Sequence, residues 1–199
     1  MRTLMKKFLL AGITAITIFS AVSLRLMAGD ISEPTYPVNA DSQERREMLL
    51  KHRIKNASNL ISKVTFEHDR VITVVYTPRR ISDDSVWIVE LFQAARQILM
   101  AISKVMASFH PSVTIHAEIR TINMDAHQNS VTGISLVYRG DKLSNINWDH
   151  FSLWDAGEQS EGVIFHKLGK KPALNYCQTE QGERHSLLFC RKLHAIIDN

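Results

Sequence analysis

A chain of 199 residues, 45% of them hydrophobic, with no internal repeat or low-complexity tract, is long enough for one domain with a real core. Its formal net charge of +4 suggests a nucleic-acid binder only until the charges are located. Arg2, Lys6, Lys7 and Arg25 lie in a leader-like segment, and taking these four from 24 basic residues leaves 20 against 20 acidic ones, which removes the electrostatic case for nucleic acid as a partner.

In chain order, the N-terminus reads first as an export signal. Arg2, Lys6 and Lys7 precede an uncharged apolar run from Phe8 to Leu24, the charge-then-apolar order of a secretory signal. The basic end stays in the cytoplasm while the apolar run enters the bilayer. Leu26-Met27-Ala28 offers a small-residue cleavage site with Gly29 as the new first residue, and no cysteine follows to mark a lipoprotein. The run is short of the about 20 residues usual for a membrane span, and Thr14, Thr17, Ser20 and Ser23 weaken it further. Residues 1–28 are expected to be a signal peptide, with a retained anchor as the alternative. Either way the folded part is expected in the periplasm, free or anchored to the inner membrane.

Residues 29–40, with Pro34 and Pro37, read as an extended tether, and residues 41–199 as a single α+β domain. Asp41 and Glu44 have the spacing of a capping box. Leu50, Ile54, Ala57 and Ile61 continue at helical steps, which predicts a helix over 42–62. Val64 to Tyr76 is β-branched and aromatic, with strand character and a hairpin turn at His68-Asp69. Ser82, Asp83 and Asp84 then start a helix over 83–108 that has no glycine or proline and is apolar around most of its circumference. Glu90, Arg96 and Lys104 make it a poor membrane span. It is expected at the centre of the core, or alternatively with an outer face that docks a partner.

After His110-Pro111, Val113, Ile115, Ala117 and Ile119 alternate with polar residues as in a half-buried strand. A polar loop, Asp125–Ser130, leads to a second strand over Val131–Tyr138, so the two form a hairpin. Trp148, Phe151 and Trp154 are spaced for one face of a short helix. Val163–Phe165 is a short strand, and Leu187–Leu193 closes the core. The expected fold is α+β: a mixed or antiparallel sheet packed against a long central helix, with a disulfide-closed C-terminal tail. In element order alone the strand–helix–strand–strand core looks like small ring-forming or scaffold modules of bacterial envelope machines, with no sequence motif behind the likeness.

Chemistry is sparse. His116, Glu118 and Arg120 share one strand face, but two ligands without a third, beside a cationic arginine, do not make a zinc site, so no metal is expected. Asp149-His150 and His68-Asp69 are sequence neighbours whose side chains point apart. No nucleophile elbow, thiol-enzyme setting or phosphate-binding glycine pattern occurs, so no cofactor is expected and catalytic residues stay unassigned. A dispersed triad can still assemble in space. The basic segment His166–Pro172 is a solvated loop or an anion site, and the Trp148/Phe151/Trp154 set is core packing or a stacking surface.

Cys177 and Cys190 flank a polar connector containing Gly182, and in an exported protein they are expected to form a disulfide. The functional expectation is an exported, non-catalytic envelope protein acting through protein–protein interaction, as an accessory of a secretion or conjugation assembly. Its partners are envelope proteins, with the membrane touched only through a retained N-terminal segment. The alternative is an exported hydrolase or small-ligand binder using some of His116, Glu118, Asp149 and His150.

Overall fold

The structure, a computed structural model, describes residues 33–67, 71–78, 83–105, 111–122 and 128–197. The expected signal peptide, the His68-Asp69 turn and His110 lie outside the described residues.

Asp41 opens helix α1 (Ser42–Ala57), its carboxylate accepting the backbone N–H groups of Gln43 and Glu44, each at 2.8 Å. The helix ends earlier than its apolar spacing suggested. Ser58 leaves the helical backbone and its hydroxyl accepts the Leu60 N–H at 3.2 Å, a local bond that competes with helix continuation. Ile61 is buried instead as the first residue of strand β1 (Ile61–Glu67). Strand β2 (Val71–Tyr76) pairs with it antiparallel.

Helix α2 (Asp84–Ser103) is capped by Asp83, which accepts from Ser85 N–H at 2.8 Å. It carries the chain across to β3 (Ser112–Ile122), which lies parallel to β2. Strand β4 (Gln128–Tyr138) returns antiparallel to β3, and the short β5 (Gly162–Phe165) completes the mixed sheet in the order β1-β2-β3-β4-β5. Between β4 and β5 come α3 (Gly140–Leu143), a 3-10 turn (Trp148–His150) and α4 (Leu153–Glu158).

One face of the sheet supplies Val64, Ile72, Val74, Ile115, Ala117, Ile134 and Leu136 to the core. Helix α2 buries nine side chains there, from Trp87 to Ile102, and also packs against α1, α4 and the later helix α5. Contact on so many sides explains why it is apolar nearly all round. Its length and composition suit a membrane span, but half of that stretch is buried inside the domain.

The aromatic cluster is not one helical face. Trp148 belongs to the 3-10 turn, the backbone is extended at Phe151, and Ser152 opens α4 with a reciprocal capping box to Asp155. Phe151 is buried and meets Trp148 edge-on at 5.1 Å, whereas Trp154 stacks on His185, also at 5.1 Å.

The described C-terminal tail is built of helices: α5 (Lys170–Cys177), α6 (Glu180–His185) and α7 (Leu187–Ile197). The expected polar connector is therefore α6, with Thr179 as its cap accepting Gly182 N–H at 3.1 Å. Cys177 and Cys190 form the disulfide, with Cα atoms 5.5 Å apart. Gly182 is required by closeness, since a Cβ there would lie 2.3 Å from the Tyr176 carbonyl oxygen. From α7, Phe189 meets Phe92 and Phe165 edge-on at 5.1 and 5.2 Å, tying the tail to α2 and β5.

Candidate polar site on the open sheet face

Alternation along each strand sends every second side chain away from α2. Register places Lys63, Val75, His116, Ser135 and Ile164 in one row across all five strands. Every described side chain on this face except Ser135 is at least partly exposed. Among the described residues, then, no second layer covers the sheet here.

At the centre of the row, His116 Nδ1 lies 2.7 Å from Ser135 Oγ, and the same oxygen lies 3.2 Å from His166 Nε2. Two glycines make this possible. Gly133 is the extra residue of a β4 bulge, because Ala117 pairs with Ile134 while Glu118 pairs with Thr132. The Gly133 carbonyl accepts the His166 backbone N–H at 2.9 Å. A Cβ on Gly169 would come within 1.9 Å of that same carbonyl oxygen, so only glycine lets the β5–α5 turn sit down on β4 and set His166 against Ser135.

Burial holds the His116 imidazole below its ordinary value, helped by the nearby His166, while the carboxylates of Glu67 and Glu118 act in the opposite direction. A histidine beside a serine invites a catalytic reading, but Ser135 is 0% exposed. A nucleophile must reach its substrate, and this hydroxyl is enclosed between two rings.

Glu118 extends the polar surface. One of its carboxylate oxygens accepts the Thr77 hydroxyl at 2.7 Å. Together with Arg120, Asn59, Ser62 and Ser130 it borders a solvent-open cavity of about 480 Å³. Arg120 has no ion-pair partner among the described residues. Nor do three or more His, Cys, Asp or Glu side chains converge among the described residues as a metal site would need.

The other sequence candidates lie elsewhere. Asp149 and His150 are exposed on the 3-10 turn, among elements packed on the α2 side of the sheet, so they do not join His116 and Glu118. The His166–Pro172 segment divides in function: His166 contacts Ser135, Lys167 is exposed, and Lys170 to Pro172 form the first turn of α5. Sequence reasoning missed Ser135. Its signal was the pairing register with His116, which a single strand does not reveal.

The chain matches no protein-family model, no curated protein and no solved structure. Any functional reading therefore rests on the chemistry of this face and on the compartment. A disulfide points to an oxidising compartment outside the cytoplasm.

Proposed function

We propose that this protein is an exported, non-catalytic module that docks other envelope proteins on its open sheet face. The observation that carries the reading is the one-sided packing: described side chains of the opposite face stay accessible across five strands, apart from Ser135. That face mixes Lys63, Glu67, Glu118 and Arg120 with the 51%-exposed Ile164. Charges of both signs around apolar contacts suit a polar protein interface better than a nucleic acid or an anionic membrane. The leader-like N-terminus and the disulfide favour the periplasm, and an accessory role in a secretion or conjugation assembly fits both.

Charge placed on the face tests this. Thr73→Glu with Thr114→Glu is expected to abolish co-purification of envelope partners, while Glu183→Lys on α6 leaves it intact. Equal recovery by all three proteins would contradict the proposal. A hydrolase reading has one supporting observation, the His116–Ser135 contact. Labelling by a fluorophosphonate that disappears in Ser135→Ala would favour it over docking.

A further inference from the structure

We infer that Ser135 latches the β5–α5 turn to strand β3 through two imidazoles, and that the latch opens when both rings carry a proton. The geometry is the His116 Nδ1–Ser135 Oγ–His166 Nε2 chain, at 2.7 and 3.2 Å. A serine hydroxyl brings one hydrogen and accepts others. While either ring is neutral, the chain closes: one ring donates N–H to Oγ, and Oγ donates its hydrogen to the bare nitrogen of the other ring. Once both rings are protonated, both donate, and the hydroxyl hydrogen is left without an acceptor. Ser135 is fully buried, so no water can satisfy that donor unless something moves, and two cations now share one oxygen.

The side that moves is His166. His116 sits mid-strand, paired with Val75 on one side and Ser135 on the other. His166 is exposed on a turn just beyond β5, where its own backbone N–H bonds Gly133. The charged surroundings do not replace the missing acceptor. β1 presents Lys63 and Glu67, and β3 presents Glu118, which is engaged by Thr77, and beyond it Arg120. Val75 from β2 and Ile164 from β5 bring no charge, while the turn and the start of α5 add Lys167 and Lys170. Burial and His166 already disfavour the His116 cation, with Glu67 and Glu118 only partly offsetting them. The latch stands whether or not the face docks a partner.

Amide hydrogen exchange on the full-length protein tests it, read as the protection of the His166 amide relative to the Ile98 amide deep in α2. Between about pH 7.5 and about pH 5, a range in which histidines titrate, this ratio should fall about tenfold or more in the wild type, as a local opening requires. In His166→Gln, whose carboxamide hydrogen-bonds without titrating, it should stay constant within about twofold. If that variant does not fold, His116→Gln carries the same expectation. A wild-type ratio that does not change, or a glutamine variant that loses as much as the wild type, would overturn the latch.

Discussion

At the scale of single residues, the fold depends on a few atoms that have no room to change. Gly182 sits so close to the Tyr176 carbonyl that an alanine must displace backbone. Gly182→Ala is expected to lower stability by about 1–3 kcal/mol, the range of overpacked sites, measurable by urea unfolding; a cost under about 0.5 kcal/mol would mean that the α5–α6 corner adapts freely. His116 makes stability depend on pH. Its folded value is depressed, so folding favours the neutral ring. That contribution is complete above the ordinary histidine value of about 6.5 and is lost as pH falls through the lowered one. Unfolding free energy should therefore decline on acidification below about pH 6.5, and less steeply in His116→Gln. Identical slopes would show that another group governs the decline.

Among the elements, what could be read from sequence was what local chemistry decides. The start of α1 follows from Asp41, the start of α2 from Asp83, and the β3–β4 hairpin from the alternation of Val113 to Ile119. The end of α1 is hidden in the sequence because Ile61 continues the helical spacing, although Ser58 has already broken the helix. Helix α6 looks like a connector in sequence because it is polar, and only its cap Thr179 signals a helix start. The spacing of the aromatic trio suits one helix, but the Ser152 cap splits it into two elements. The candidate site was the least legible part. His116 and Glu118 were placed on one strand face from sequence, but Ser135 and His166 join them only through the register of β3, β4 and β5. Packing between elements gives a sharper test. Phe189 bridges α7 to Phe92, Phe165 and Tyr176, and Phe189→Ala should cost about 3–5 kcal/mol. A loss below about 1 kcal/mol would mean the tail is only loosely attached to the core.

For the molecule as a whole, the two outer parts of the design are the disulfide and the open face. Replacing Cys177 and Cys190 together by serine should cost about 2–4 kcal/mol of stability without altering partner binding, because the bond lies among the helices and not on the exposed sheet face. Loss of binding at full stability would give the bond a functional role. The most direct test of docking is site-specific photo-crosslinking in the intact envelope, with the reactive residue placed at Thr114 in the middle of the open face or at Glu183 on α6. Docking across the sheet predicts discrete crosslinked envelope proteins from Thr114 and none of them from Glu183. Crosslinks from Glu183 alone, or the same products from both positions, would contradict it.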